Sequence, residues 1–310
     1  MRLRLQTFAN TFTPYQRAVA LLVFAASIWG ISFTAIRWAL TDFTTTHLVF
    51  WRFLIALVAG ELLQFLFQPK VYKRSGRDFR LALFAGIALG LSIVLQTQGL
   101  QTTTATQSSF ITSLYVVMLP IVAGLFFRQR IKAHHIFLGL IAFSGMALLL
   151  NLHQTDFQFH FGDLLTLGCA LASTFHIIYV GAAANQSTSN FRFNNFQTLW
   201  ALLMVTPFIA YEIFVNGLPL WPHVVHFKSV LGLLILSLFA SLVAFYLQIK
   251  AQKVLPNTTS SLLCLLEAPY AFIFAALLLD ESLNGVQLIG VLVIMTSSVA
   301  AVYIDRPKNR

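Results

Sequence analysis

Charge is what this 310-residue chain has least of. Asp, Glu, Lys and Arg together make 10% of it, against roughly 25% in a soluble domain. Acidic residues are the scarcer half, ten against twenty Lys and Arg. Cysteine occurs twice, at Cys169 and Cys264. That excludes a disulfide framework and leaves small packing residues as the default. Neither a G-x-S-x-G elbow nor an H-E-x-x-H pair is present, so no catalytic residue is assigned. No Gly-rich phosphate loop is present either, so no cofactor is expected and ATP drive would need another protein. A cleavable leader is also missing. The first apolar run carries Trp29 and Arg37 without a small-residue cleavage site, and reads as an uncleaved span.

What the chain does have is apolar length. Hydrophobic residues make 58% of it, arranged in ten runs near the ~20 residues that cross a bilayer as helix. These are 18–38, 46–67, 79–99, 103–127, 134–151, 161–184, 194–215, 228–249, 257–279 and 284–304. The fold class is therefore an all-α integral membrane protein of ten transmembrane helices, in contact with the lipid bilayer. Strands are excluded because an open sheet edge cannot sit in lipid. Gln68-Pro69, Gly217-Leu218-Pro219 and Leu255-Pro256-Asn257 punctuate short loops.

A net charge of +10 invites a nucleic-acid reading, which the positions of the basic residues remove. With the N-terminus in the cytoplasm, Arg2, Arg4, Arg17, Lys70, Lys73, Arg74, Arg77, Arg80, Arg128, Arg130, Lys132, Arg192, Lys250, Lys253, Arg306, Lys308 and Arg310 fall on one side. Only Arg37 and Lys228 fall on the other, and Arg52 lies inside a span. This asymmetry is the positive-inside rule, with both termini cytoplasmic and the chain in the cytoplasmic (inner) membrane. No nucleic acid is expected as a partner.

The chain also repeats itself. Gln96, Ser108, Ser109, Thr112, Leu114 and Ile131 recur as Gln248, Ser260, Ser261, Cys264, Leu266 and Leu283, each pair 152 positions apart. Two five-span units follow, 1–151 and 152–310. Because five is odd, the second enters the membrane upside down relative to the first. The turn Arg128-Gln129-Arg130 is then cytoplasmic, and its mate Asp280-Glu281-Ser282 external. Inverted repeats of this kind place a substrate near the midplane and permit alternating access.

Helical spacing puts Ser108, Thr112 and Tyr115 on one face of the fourth span, and Ser260, Cys264 and Glu267 on the matching face of the ninth. Gln96 and Gln248 extend the polar wall to the third and eighth spans, the latter with Ser237, Ser241 and Ala244. Pro120 and Pro269 interrupt their helices and free carbonyls that need a cavity or a protein partner. Single hydroxyls in such places commonly bond between helices; the two matched stripes together point to a binding cavity. Glu267, near the middle of its span, costs on the order of 2.5–3.5 kcal/mol to insert. Either a cation, a substrate amine or a proton offsets that, or the residue plugs the kink at Pro269. His176 in Phe175-His176-Ile177-Ile178-Tyr179 is a candidate proton carrier or a packed hydrogen-bonding residue. Trp29, Tyr115 and Tyr179 offer flat walls. Structural roles are expected for Arg52, near the outer end of its span, and for Glu61, facing the basic loops. His134-His135 lacks a further ligand at usable spacing, so no metal is expected there.

In its particular residues the chain resembles the drug/metabolite transporter superfamily in its ten-span EamA form. Trp29-Gly30-Ile31-Ser32-Phe33 with Arg37 resembles that family's first helix, and Arg52-Phe53-Leu54 the start of its second. Gly99-Leu100, Thr104-Ala105 and the run Ser109 to Tyr115 up to Pro120 resemble its third-to-fourth helix region. Leu266-Glu267-Ala268-Pro269 and Asp280-Glu281-Ser282-Leu283 resemble its ninth helix and exit. The sequence departs from that pattern where Arg128-Gln129-Arg130 replaces a turn Glu, and where the Glu-Pro pair is spread as Glu267-Ala268-Pro269. The resemblance implies a secondary transporter, most simply an exporter, for a small organic metabolite: an amino acid or related compound, or an amphiphilic toxic compound. Protons are a possible coupling ion, and monomer and homodimer are both open. A membrane-embedded enzyme or a passive channel is the alternative.

Overall fold

The computed structural model describes residues 12–69, 75–99, 102–103, 105–130, 132–154, 158–279 and 284–307. These form ten helices and, among the described residues, no strand. They are α1 (Pro14–Ala39), α2 (Thr45–Phe67), α3 (Ser75–Gly99), α4 (Ala105–Ser113 and Tyr115–Phe127), α5 (Ala133–Leu149) and α6 (Phe161–Ala184). Then follow α7 (Asn190–Phe214), α8 (Phe227–Leu234, Ile235–Ala244 and Phe245–Gln252), α9 (Asn257–Cys264 and Glu267–Leu279) and α10 (Gly285–Ile304). Nine of them are long and apolar enough to cross a membrane, and α5, with 17 residues, is the short one. The expectations at Ile131, Leu100, Thr104, Asp280-Glu281-Ser282-Leu283 and the basic residues Arg2, Arg4, Lys70, Lys73, Arg74, Lys308 and Arg310 lie outside the described residues.

Local chemistry sets the helix ends. Thr13 caps α1 in a capping box with Gln16, and Pro14 takes the first turn, where its missing N–H has no partner to lose. Asn284 caps α10 in a capping box with Gln287, and Thr44 and Ser189 cap α2 and α7 by accepting one backbone N–H each. Arg128, at φ 53°, closes α4 in the left-handed conformation.

Packing runs across the two halves of the chain. Helix α3 lies against α6 and α7, while α8 lies against α1 and α2. Helix α9 packs on α1, α4 on α6, α2 on α7, and α5 on α10. The α5–α10 contact depends on small residues: a Cβ built on Gly290 would stand 2.4 Å from the Leu149 nitrogen and 2.6 Å from the Gly145 carbonyl oxygen. Backbones can approach that closely only without a side chain between them. Phe24, Phe65, Phe126, Leu277 and Val299 point outward, exposed, as lipid-facing residues do.

Two polar ends frame this bundle. At the basic end, Arg192 on α7 is ion-paired with Glu61 on α2, which also accepts from Asn195 Nδ2 at 3.1 Å. The buried Asp78 carboxylate accepts the backbone N–H groups of Thr188 at 2.8 Å and Ser189 at 3.2 Å, fixing the α6–α7 turn. At the other end, His47 meets Glu212 at 2.9 Å and the Pro219 carbonyl at 2.9 Å. Trp51 donates to the Leu220 carbonyl at 2.9 Å, and His226 pairs with Asp42 at 2.8 Å.

Candidate functional site

Three irregularities in the backbone lie in α4, α8 and α9. Helix α4 breaks at Leu114 and α9 at Leu265-Leu266, so the breaks fall on the repeat-related leucines Leu114 and Leu266 rather than on the prolines. The prolines explain why the neighbouring carbonyls survive. Pro269 has no N–H for the Leu265 carbonyl, which takes the Ala268 N–H at 3.1 Å instead. Pro120 likewise leaves the Val116 carbonyl without its helical donor, and Gly139 of α5 lies so close that an added Cβ would be 3.1 Å from that oxygen. Pro120 and Pro269 are therefore accommodated inside the second pieces of their helices, and the helix breaks precede them.

The middle of α8 is wound as π-helix over Ile235–Ala244. Such winding leaves groups out of the regular ladder; side chains of two other helices bond backbone carbonyls here, and one of a third helix bonds a serine hydroxyl. Trp29 Nε1 of α1 donates to the Ala240 carbonyl at 3.2 Å, Asn194 Nδ2 of α7 to the Leu242 carbonyl at 3.1 Å, and Arg52 Nε of α2 to Ser241 Oγ at 2.6 Å. Arg52 is thus drawn inward, 9% exposed, and braces the neighbouring α8, in keeping with the structural role expected of it.

Glu267 opens the second piece of α9. Among the described residues its carboxylate has neither a hydrogen bond nor an ion pair, yet Arg52, Tyr115, Cys169 and Cys264 all lie within its electrostatic reach. Arg52 and Glu267 form no salt bridge among the described residues, although each lies within the other's electrostatic reach. The Tyr115 hydroxyl sits where α4 crosses α9, 3.5 Å from the Ser261 carbonyl, and Ser260 Oγ is buried without a partner among the described residues.

The other sequence candidates separate into distinct environments. Gln96 Nε2 donates to Thr112 Oγ1 at 3.3 Å, and Thr112 lies 3.9 Å from Cys169 Sγ, so these extend the Glu267 region. Ser108 turns away to Thr166 at 3.4 Å. His176 contacts Gln197 Oε1 at 3.4 Å, and Gln197 reaches Asn194 Oδ1 at 2.8 Å, which makes His176 the end of a buried polar chain to α8. Trp29 and His176 flank Phe245 from two sides, with ring centroids 5.3 and 5.6 Å away. Tyr179 is not brought to the site. It packs on Phe84 and Phe127 at 5.3 and 5.4 Å in a half-buried aromatic cluster that Phe84 continues to the exposed surface. Gln248 donates to Gln252 Oε1 at 3.0 Å, and Gln252 in turn donates to the Ile177 carbonyl and to Asn257 Oδ1, at 3.0 and 3.1 Å.

That last chain leads to a cavity of about 400 Å³ at the basic end, between α4, α6 and the segment joining α8 to α9. Pro120, Arg130, Lys132, Lys253, Gln252 and Asn257 are among its walls. Close by, Asp305 at the end of α10 accepts from His135 Nε2 at 2.7 Å and meets Lys132 at 3.4 Å. Burial works to raise the Asp305 carboxyl, but the His135 and Thr259 hydrogen bonds and the nearby Lys132 ammonium hold it down at about 2. Sequence spacing could not reveal this acid beside His134-His135, because it stands 170 positions from His135.

A polytopic helical bundle with a broken helix pair, a half-buried acid unpaired among the described residues and a polar cavity at one end has the build of a membrane carrier. The sequence pattern of the EamA-like transporter family matches residues 16–151 and 160–303, and the chain belongs to that family. It is 29% identical over 281 residues to an uncharacterized transporter of Archaeoglobus fulgidus, covering 90% of this chain and 83% of that one. A protein of known crystal structure shares the fold with TM-score 0.76 at 14% identity, across 93% of this chain and 97% of the other.

Proposed function

We propose that this chain is a secondary transporter that carries a small organic metabolite out of the cytoplasm by alternating access, with Arg52 and Glu267 as the two poles of its binding site. The unpaired Glu267 carboxylate carries this reading. An acid inside a span without a partner is costly, and a substrate ammonium group or a proton offsets that cost when the site is filled. Arg52, already anchored by Ser241, has its guanidinium suited to a carboxylate. Opposite charges that lie near each other without pairing favour a zwitterion of the amino-acid class over a purely cationic amphiphile. Tyr115, Thr112, Gln96 and Ser260 supply hydrogen-bonding walls, and Trp29 an apolar one.

The exchange of contacts between halves supports two inverted units, 1–151 and 152–310: α3 meets α6 and α7 where α8 meets α1 and α2. The basic end, with Arg130, Lys132 and Lys253 around its cavity, is read as cytoplasmic. Both termini then face the cytoplasm of the inner membrane. Proton movement on Glu267 is the proposed coupling. A screen of metabolites in proteoliposomes, with and without an imposed pH gradient, tests the reading. Zwitterionic amino acids should be taken up in a manner that responds to the gradient; exclusive transport of hydrophobic cations would replace it with the amphiphile reading.

A further inference from the structure

The sequence offers two adjacent histidines without a third ligand, and the fold supplies one. His134 and His135 open α5, and Asp305 follows α10; each offers a ligand atom, and these atoms all lie within 4.8 Å of one another. Two observations mark the cluster out from an ordinary hydrogen-bonded pair. His134 Nε2 is buried and has no hydrogen-bond partner among the described residues, a costly state for an imidazole nitrogen. Asp305, with its side chain 2% exposed, is already oriented by Thr259 Oγ1 at 2.5 Å, as outer-shell partners orient metal ligands.

We propose that His134, His135 and Asp305 form a binding site for a divalent transition metal of the zinc class, which ties the start of α5 to the end of α10. Two imidazoles and a carboxylate are the donor set such ions take, with water in the fourth position. Calcium and magnesium prefer oxygen-rich shells and are excluded by the same argument. Lys132 is a cation that opposes the metal. Its ammonium touches the Asp305 oxygen at 3.4 Å, but the side chain is 55% exposed and can swing into solvent. The His135–Asp305 hydrogen bond is replaced when the metal binds, so both states are held together. The site adjoins the basic cavity, whose wall includes Lys132 and His135, yet binding there is independent of what the protein carries.

Untagged full-length protein, stripped of metal with a chelator and held in nanodiscs, should bind one zinc per chain in a competition titration against a fluorescent chelator. Its thermal unfolding should rise with zinc and not with magnesium. His134→Phe keeps the ring that packs on His135, with centroids 4.3 Å apart, and removes only the nitrogens. It should fold as the wild type does and lose affinity by more than about tenfold. Asp305→Asn should lose zinc binding as well. No stoichiometric zinc, or equal zinc binding by wild type and His134→Phe, would overturn the proposal and leave a hydrogen-bonded latch of His135, Lys132 and Asp305.

Discussion

Arg52 is the residue on which the proposed site turns, because it joins the π-wound stretch of α8 to the region of Glu267. Its Nε–Ser241 hydrogen bond, 2.6 Å long, is charge-assisted and buried. Ser241→Ala should therefore cost about 1.5–3 kcal/mol in a denaturant titration. Ser144→Ala, which touches only the exposed Ile141 carbonyl, should cost next to nothing. Asp42 gives a pH test outside the spans. Hydrogen bonds from Ser229 and from the His226 backbone and ring hold its carboxyl at about 2, below the ordinary 3.8. A depressed folded value means that its contribution is complete above pH 3.8 and is lost as the pH falls toward 2. Hydrogen exchange in the α1–α2 and α7–α8 loops should therefore quicken over that interval, and Asp42→Asn should be fast throughout; a wild type indifferent to acid would contradict the assignment. Single residues were only partly legible in the sequence. Glu267, Tyr115 and Thr112 stand out by their stripes, whereas Arg52 passed for an interfacial residue because its partner Ser241 is 189 positions away.

The helices themselves were legible almost to their ends, since Thr13, Thr44, Ser189 and Asn284 are capping residues ahead of apolar runs. Departures from regular winding were not. Nothing in Ile235–Ala244 distinguishes a π-helix from an α-helix by composition. The breaks lie at Leu114 and Leu265-Leu266, while proline drew attention to positions a few residues later. Close helix contacts provide the sharpest test among these features. Gly290→Ala places a methyl against backbone atoms of α5 that cannot rotate away. It should destabilise the protein by ~1–3 kcal/mol, as overpacking does. Gly76→Ala, with nothing within 4 Å of the added carbon, should be neutral. Equal unfolding midpoints for the two variants would show that α5 and α10 are not packed as described.

The orientation of the whole molecule rests on charge. Basic residues gather at the end that holds Arg130, Lys132, Lys253 and the Glu61–Arg192 pair, and the opposite end carries the Asp42–His226 and His47–Glu212 pairs. In a variant lacking Cys169 and Cys264, an impermeant thiol probe added to intact cells should label a cysteine at position 223 and spare one at 76; the reverse would invert the proposed topology. Composition and the 152-residue repeat were enough to read ten spans and membership of a transporter class. They could not disclose which charges meet inside, because that depends on how α2, α4, α8 and α9 converge. The most direct test is uptake into proteoliposomes of a zwitterionic amino acid, its N-acetyl derivative and its methyl ester, compared between wild type and Glu267→Gln at equal amounts of folded protein. Wild type should carry the zwitterion and reject both derivatives, and Glu267→Gln should insert normally but lose that transport. A Glu267→Gln protein as active as wild type, or a wild type that takes up the N-acetyl derivative equally well, would contradict the account.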